Sequence, residues 1–199
     1  MVRATDETYE ALRSAAITLL ATEGPAALTV RRIAAEAGVS TMNVYSRFGG
    51  KDGIVEELYV DGFERLGDSL QRVRSTSHRI ADLRRCGQAY RQFAIDHPTS
   101  YAVMFDAAVP GFQASERASE VGKRTLGLLV ERVQRALESG ELHGQAEEIA
   151  VSLWATNHGV VSLEMKHAGP PYIDWLQMHR AALDAVIRGY STSATLIEE

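Results

Sequence analysis

Apolar residues recur along most of this chain at the 3.6-residue period of an α-helix. The first such stripe comprises Tyr9, Leu12, Ala16, Leu19 and Leu20. Thr5 is the expected N-cap of this helix, because its hydroxyl can accept a hydrogen bond from a free amide of the first turn. Gly24-Pro25 is expected to end the helix, since proline lacks the amide that a continuing helix needs.

Two shorter helices are predicted next, over about residues 30–37 and 41–48. Thr29 is the expected N-cap of the first helix, and Ser40 of the second. Gly38 lies between them, where a positive φ lets the chain turn tightly. Two helices of about two turns each, joined by such a turn, have the size and spacing of a helix-turn-helix motif.

Longer helices are predicted beyond residue 51. Their expected ranges are about 52–74, 78–96, 99–108, 115–138, 145–167 and 172–190. The sequence has no alternating β-branched run and no Asn-Gly hairpin turn, the patterns that would indicate strands. The predicted fold is all-α, with a three-helix helix-turn-helix domain over residues 1–60 and a larger helical bundle over residues 61–199.

Composition and charge narrow the class of protein. With 199 residues, 45% hydrophobic and 24% charged, the chain has ordinary globular composition. Its net charge of −5 argues against nucleic-acid binding, but residues 1–51 carry +1 and the remainder −6, so the acidity lies outside the helix-turn-helix. One cysteine allows no internal disulfide, the first residues do not resemble a signal peptide, and no apolar run suits a membrane span. We expect a cytoplasmic protein with no membrane partner.

The predicted helix pair has an inner and an outer face. The inner face is expected to contain Ile33, Ala34, Ala37, Val39, Val44 and Phe48. The outer surface of the second helix is expected to present Thr41, Met42, Asn43, Tyr45, Ser46 and Arg47. In a helix-turn-helix, the second helix enters the major groove and its first residues reach the base edges. Such helix pairs also occur as purely structural units, so geometry alone leaves both interpretations open.

This stretch closely resembles the DNA-binding domain of TetR-family transcriptional regulators. The resemblance is carried by Thr29-Val30-Arg31, Gly38-Val39-Ser40, Val44-Tyr45-Ser46-Arg47-Phe48 and Lys51-Asp52, and it covers about residues 6–60. The family usually has His or Tyr where this chain has Arg47. A cation at that position favours a phosphate contact, so the departure does not weaken the resemblance.

The resemblance implies which residues contact double-stranded operator DNA. The positions that match phosphate contacts are Thr29, Tyr45, Arg47 and Lys51. The positions that match base contacts are Thr41, Met42 and Asn43. An Asn can bond adenine bidentately, and Thr or Met can pack on a thymine methyl group. The alternative for Tyr45 is a half-buried ring with its hydroxyl in water, and for Arg31 and Arg32 it is a solvated helix face.

A shorter resemblance, to the Trp-His-Gly type of C-terminal domain in the same family, is carried by residues 97–105 and 154–159. It implies a homodimer formed by the last two long helices. Suitable residues for that interface are Leu153, Val160, Val161, Trp175, Met178, Ala182, Val186 and Gly189. Gly159 lies within a predicted helix, where glycine is unfavourable, and therefore indicates a close helix approach.

The larger bundle is expected to bind a small-molecule effector. Candidate lining residues are Tyr90, Phe93, Tyr101, Met104, Phe105, Trp154 and His158. Each of them also fits an ordinary packed core, and for His158 the alternative is a histidine bonded across helices.

Catalytic interpretations fit the sequence poorly. Cys86 has no histidine one turn away, and Glu164-Met165-Lys166-His167 matches half of a di-iron site that requires a second copy. We therefore predict no catalytic residue, metal or cofactor. The expected function is that of a dimeric repressor, bound to a palindromic operator and released by a small apolar ligand. The alternatives are a DNA-binding regulator controlled by a protein partner and a ferritin-like metalloenzyme.

Overall fold

The structure, a computed structural model, describes residues 7–192. This range contains no strand, and its one β-type bridge joins Leu142 to Ser191. The α-helices are α1 (Glu7–Glu23), α2 (Val30–Glu36), α3 (Thr41–Phe48), α4 (Lys51–Gln71), α5 (Arg79–Asp96), α6 (Pro98–Phe105), α7 (Glu116–Glu138), α8 (Ala146–Met165) and α9 (Trp175–Tyr190). The predicted all-α fold is therefore confirmed. The expected N-cap Thr5 lies outside the described residues.

The predicted helices are all present, and their ends agree to within three residues. The largest difference at the start of a helix, that of α9, has a local cause. Helix α9 begins at Trp175 because the side chain of Asp174 caps it, accepting a hydrogen bond from the amide of Gln177 at 3.0 Å. A short 3-10 turn over Pro25–Ala27 had not been predicted.

Packing divides the described residues into two compact units. The first unit comprises residues 7–64 and 97–122, and the second comprises residues 65–96 and 123–192. Helix α6 belongs to the first unit because Val103 packs into the core formed by α1 to α4. The functional division into a DNA-binding domain of residues 1–60 and a ligand-binding and dimerisation domain of residues 61–199 stays a prediction.

The core of the second unit combines α5, α7, α8 and α9. Its buried apolar residues include Leu83, Val133, Ile149, Leu153, Leu183 and Ile187. Leu153 and Val161 therefore face the protomer's own interior, and the expectation that they form a dimer interface is wrong. The expected close helix approach at Gly159 is also absent within the protomer, because a Cβ there would meet no atom within 4 Å.

Candidate nucleic-acid interface

Helix α2 begins as the sequence predicts. Thr29 has an extended backbone, and its hydroxyl accepts a hydrogen bond from the amide of Arg32 at 3.2 Å. This bond satisfies one of the amides that have no partner inside the helix. The side chain of Thr29 is otherwise exposed at the surface, beside the start of the helix.

The turn between α2 and α3 is held by backbone hydrogen bonds around Gly38. This glycine has a φ of 69°, and the amide of Val39 donates to the carbonyl of Ala34 at 2.9 Å. The predicted inner face is confirmed: Ile33, Ala34 and Val44 are buried, and Ala37, Val39 and Phe48 pack against the same core. Because these contacts fix α3 on its inner side, the outer side chains of α3 remain at the surface.

The outer face of α3 exposes large side chains that a folded monomer would ordinarily cover. Met42 is 71% exposed and Tyr45 is 56% exposed. Thr41, Ser46 and Arg47 are also exposed, whereas Asn43 is half-buried. For Tyr45, the exposed fraction favours an available ring over the alternative of a half-buried one. Exposed apolar area of this kind indicates a surface that contacts a partner.

Asn43 connects two other polar residues of the motif. Its side-chain amide donates to the hydroxyl of Ser40 at 3.0 Å, and its carbonyl oxygen accepts from Nη1 of Arg47 at 3.0 Å. Sequence reasoning treated Asn43 and Arg47 as separate contacts, one to bases and one to phosphate. In this structure they form one hydrogen-bonded chain, so a change at Asn43 also removes a hydrogen bond from the guanidinium of Arg47.

The same network corrects the expected capping of α3. Ser40 occupies the N-cap position, but its side chain makes no capping hydrogen bond to the backbone. The Ser40 hydroxyl instead accepts the hydrogen bond from Asn43. The first amides of α3 are therefore not satisfied by this side chain, and the amide of Asn43 donates instead to the backbone carbonyl of Ser40 at 3.0 Å.

The end of α3 is fixed by Gly49, where the sequence predicts that this helix ends. Gly49 closes the helix with a φ of 73°, and its amide donates to the carbonyl of Tyr45 at 2.9 Å. In the first turn of α4, a Cβ at Gly53 would lie 1.7 Å from the carbonyl oxygen of Phe48. Only glycine permits this approach, so Gly53 sets the angle between the end of α3 and the start of α4.

Helix α1 supports α3 and α4 through polar and aromatic contacts. The rings of Tyr9 and Phe48 stack with centroids 4.6 Å apart. Burial, followed by a hydrogen bond to Glu57, raises the pKa of Tyr9, so its hydroxyl stays protonated and donates to that carboxylate. These contacts tie the last residue of α3 to α1 and α4.

Arg13 of α1 is a buried cation. It pairs with Glu10 at 2.9 Å and with Asp61 of α4. Burial alone would lower the pKa of Arg13, but the hydrogen bond and charge of Asp61, with help from Glu10, raise it above its ordinary value. The guanidinium therefore stays charged and joins α1 to α4 within the first unit.

The remaining candidate cations differ in how they are held. Arg32 pairs with Glu23 at 2.5 Å, both side chains being about half exposed. This pairing favours the interpretation of Arg32 as part of a solvated helix face. Lys51 is half-buried, and its Nζ lies 3.8 Å from Oδ1 of Asp52. Arg31 is exposed.

The candidate effector residues fall into both packing units. Tyr101, Met104 and Phe105 belong to the first unit, where the rings of Tyr101 and Phe105 lie 4.9 Å apart. Phe105 also meets Phe63 edge-on at 5.3 Å. Tyr101 and Met104 are buried, so these residues contribute to the core of that unit.

The other four candidates, Tyr90, Phe93, Trp154 and His158, belong to the second unit. The hydroxyl of Tyr90 lies 3.3 Å from Nδ1 of His158, which joins α5 to α8. This is the hydrogen bond across helices that the sequence analysis gave as the alternative for His158. Phe93 is buried, whereas Trp154 is half-buried.

Sequence reasoning overlooked the fully buried histidine of this unit, His179. Its Nε2 donates to Oδ1 of Asn157 at 2.8 Å, while Asn157 donates to the carbonyl of Leu153 at 2.8 Å. Nδ1 of His179 has no hydrogen-bond partner. Burial, strengthened by the charge of Arg91, lowers the pKa of His179. The signal was present in the sequence, because residues 179, 183 and 187 form one buried stripe of α9.

Residues considered for catalysis have structural surroundings. Arg91 pairs with Glu164, whose Oε2 lies 2.8 Å from the Nε of Arg91. Cys86 is buried, and burial raises the pKa of its thiol to about 11. Within residues 7–192 no group of three or more His, Cys, Asp or Glu side chains is placed to hold a metal ion. None of the described helices is both long and apolar enough to cross a membrane.

Known proteins share both the sequence and the fold. A family profile described as bacterial regulatory proteins of the tetR family matches residues 12–58. A second profile, described as the tetracyclin repressor-like C-terminal domain, matches residues 83–190. That description does not specify the Trp-His-Gly type, so this finer resemblance stays a prediction.

Among curated proteins, the HTH-type transcriptional regulator Rv1816 of Mycobacterium tuberculosis is 26% identical over 123 residues. The match covers 60% of this chain and 53% of that protein, so the chain spans about half the length of the curated relatives it matches.

Solved structures extend the likeness over almost the whole chain. A protein of unknown function from Rhodococcus sp. RHA1 has a TM-score of 0.82 and 28% identity, covering 96% of this chain and 98% of that one. A SmeT–triclosan complex, at 20% identity and a TM-score of 0.69 over 94% of this chain and 93% of that one, shares the fold. With one profile on the helix-turn-helix and another on most of the remaining helices, this chain belongs to the TetR family of DNA-binding transcriptional regulators.

Proposed function

We propose that this protein is a dimeric repressor whose α3 helices read a palindromic operator. The observation that carries the proposal is the outer face of α3. It combines exposed Met42 and Tyr45 with the hydrogen-bonded pair Asn43 and Arg47, on a helix fixed from its inner side. A rigid helix that presents apolar, amide and cationic groups together matches the chemistry of a major groove.

Roles within this face follow from position along α3. Thr41, Met42 and Asn43 lie in its first turn, where side chains reach base edges. Thr29, Tyr45, Arg47 and Lys51 lie around this turn and are assigned to phosphates. Because Arg47 is hydrogen-bonded to Asn43, the two roles are coupled, and DNA must replace the Asn43–Arg47 bond for both residues to act fully.

Dimerisation is assigned to the outer faces of α8 and α9. On α8 the exposed residues Val151, Ala155, Gly159 and Leu163 recur every fourth position. On α9 the exposed residues Met178, Ala181, Ala185 and Gly189 form a similar stripe. Val160, Trp175, Ala182 and Val186 are half-buried at the margins. The alanines and glycines among these residues allow two helix pairs to approach closely, which supports a symmetric contact between copies.

Release by a small ligand is the second part of the proposal. The candidate effector residues on α5, α6 and α8 include five aromatic side chains, and the fold as such accommodates a small molecule in the SmeT–triclosan complex. Helix α4 contributes residues to both packing units, directly after α3, and is the element assigned to transmit ligand binding. The ligand must bind more tightly to the form whose α3 helices are misplaced.

The DNA-binding function is tested by selecting a duplex from random DNA and measuring its affinity by fluorescence anisotropy. Arg47→Gln is expected to weaken binding at least tenfold and to lower the salt dependence. Arg124→Gln is the matched control, because Arg124 is an exposed arginine on α7 and its loss changes the net charge equally. Equal losses in both variants would contradict the assignment of α3.

The dimer is tested by Ala155→Glu, which places a charge in the centre of the exposed stripe on α8. Light scattering is expected to show monomers, and affinity for the selected duplex should fall more than tenfold because one half-site remains. Ala21→Glu, at an exposed position of α1, should leave a dimer. A dimeric Ala155→Glu variant would place the interface elsewhere.

A further inference from the structure

The second packing unit contains a cleft between α7 and the segment that follows α4. Its volume is about 430 Å³, within the range of small-ligand sites. The residues that matter for its chemistry are Val73, Arg74, Ser75, Leu128, Arg132 and Arg135. All of them belong to one packing unit, and none is among the aromatic residues that the sequence analysis assigned to an effector.

One side of the cleft is a buried arginine in a fixed position. Arg132 is 9% exposed, and its Nη2 donates to the carbonyls of Leu70 at 2.9 Å and Val73 at 2.6 Å. Both carbonyls lie at the C-terminal end of α4 or just beyond it, and that of Leu70 also accepts from the amide of Val73 at 3.2 Å. The guanidinium is therefore held rigidly, with its second terminal nitrogen directed to Ser75.

Two guanidinium groups converge on the hydroxyl of Ser75. Nη1 of Arg135 donates to this oxygen at 2.8 Å, and Nη1 of Arg132 lies 3.4 Å from it. With two donors at its oxygen, Ser75 has its own O–H available for another acceptor. Two like charges held around one neutral oxygen repel each other, and an anion placed between them would relieve that repulsion.

The cleft has too few acids to neutralise its cations. In the described part of the chain, Arg74, Arg132 and Arg135 form no ion pair. The nearby Asp82 is engaged by Thr76 and Arg85. Glu131 also lines the cleft, so three guanidinium groups face a single carboxylate there.

We propose that this cleft binds a small organic anion with a short apolar chain. The carboxylate or phosphate headgroup contacts Arg135, Arg74 and the O–H of Ser75, because a guanidinium matches the two oxygens of either group. Val73 and Leu128 contact the apolar chain. Resting on the proposed function, we further assign this anion the role of a second effector, distinct from the apolar ligand, that releases the repressor from DNA.

Titration calorimetry of the full chain tests the site with four probes: octanoate, octyl phosphate, 1-octanol and inorganic phosphate. One of the two octyl anions is expected to bind saturably, at least tenfold more tightly than 1-octanol or inorganic phosphate. The tighter of the two anions identifies the headgroup. If 1-octanol binds as well as both anions, the charged site is wrong. If inorganic phosphate binds as well as octyl phosphate and octanoate, the proposed contact of Val73 and Leu128 with an apolar chain is wrong.

Arg135→Gln is expected to weaken binding of the preferred octyl anion at least tenfold. The control is Arg72→Gln, which removes the same charge from an exposed residue outside the cleft and should retain the affinity of the unaltered protein. Ser75→Ala is a milder second variant, expected to weaken binding several-fold without loss of charge. Unchanged affinity in Arg135→Gln or Ser75→Ala, or an equal loss in Arg72→Gln, would overturn the site.

The effector role is tested with the selected duplex. The preferred anion should lower the affinity of the unaltered protein for DNA but not that of Arg135→Gln. Absence of DNA binding without any ligand would count against the proposed function, while calorimetry still decides the cleft. DNA binding together with no calorimetric signal would overturn the cleft alone, and an anion that binds without changing DNA affinity would overturn its role as effector.

Discussion

Both packing units bury basic side chains, and Arg13 of the first unit and His179 of the second are held differently. In the first unit Arg13 is charged and pairs with two carboxylates, Glu10 and Asp61. In the second unit His179 makes one neutral hydrogen bond, to Asn157, and its Nδ1 has no partner. The first arrangement depends on matched charges, whereas the second depends on the imidazole staying neutral.

Gly53 of the first unit and Gly87 of the second bring their helices together through different kinds of contact. At Gly53, in the first unit, a Cβ would collide with backbone, the carbonyl oxygen of Phe48. At Gly87, in the second unit, it would meet side-chain atoms, Cδ1 of Leu183 at 2.3 Å and Oδ1 of Asn157 at 3.0 Å. Backbone cannot move aside as side chains can. The helix approach at Gly53 is therefore less adjustable than the approach at Gly87.

The largest expected effect is that of Gly53→Ala. Accommodating the new methyl group requires α3 and α4 to separate, which should cost at least about 3 kcal/mol in the free energy of unfolding. Gly87→Ala should cost less, about 1–2 kcal/mol, because Leu183 can change rotamer. Urea unfolding of the full chain measures both variants.

Gly67→Ala is the matched control for this comparison. Gly67 lies on the same helix as Gly53, and a Cβ there would lie 3.7 Å from Leu128 and Thr125, an ordinary contact. This variant should be neutral or up to about 1 kcal/mol more stable, since alanine favours a helix interior. If Gly87→Ala were as damaging as Gly53→Ala, the contrast between backbone and side-chain contact would be wrong.

The next effect concerns the charged pair. Arg13→Leu leaves Asp61 largely buried without its cation, and should cost about 3 kcal/mol. The double variant Arg13→Leu/Asp61→Leu removes both charges and should regain most of that stability, because the cost arises mainly from the loss of the Arg13 cation beside a largely buried carboxylate. Thermal melting of the two variants provides the measurement. A double variant no more stable than the single one would show that packing, not charge, holds this contact.

Local chemistry explains what the sequence predicted well. The cap at Thr29 and the turn at Gly38 depend on residues within one turn of each other, so their signals lie in short stretches. The inner face of the helix pair follows from helical periodicity, which the structure confirms. The exposure of Met42 and Tyr45 on the opposite side of α3 follows from the same periodicity.

What the sequence did not predict depends on three-dimensional context. Periodicity identifies an apolar face but not what covers it, so the sequence assigns Leu153 and Val161 to a dimer although both are buried inside the protomer. The role of Gly53 depends on the carbonyl of Phe48, whose direction no composition rule gives. Ser40 was expected to cap α3, but a competing side chain, Asn43, takes its hydroxyl.

The smallest expected effect is a pH dependence specific to the second unit. Burial lowers the pKa of His179 below the ordinary value of about 6.5. Below that pH the unfolded chain binds a proton that the folded chain excludes, so stability falls as the pH is lowered. The slope should approach about 1.4 kcal/mol per pH unit until the folded-state pKa is reached. Urea unfolding at pH 7.5, 6.5, 5.8 and 5.0, a series chosen as roughly spanning this transition, measures it.

The series stops at about pH 5 because a second buried group titrates below it. Burial alone would raise the pKa of Asp82, but hydrogen bonds from Thr76 and the charge of Arg85 lower it, so its stabilisation is lost only at more acidic pH. His179→Gln can still donate to Asn157, and it should flatten the slope between pH 6.5 and 5, the interval below the ordinary histidine pKa. His143→Gln removes an exposed histidine and should leave the slope unchanged. A slope that persists in His179→Gln would assign the pH dependence to other groups and remove the main contrast with the charged Arg13 pair.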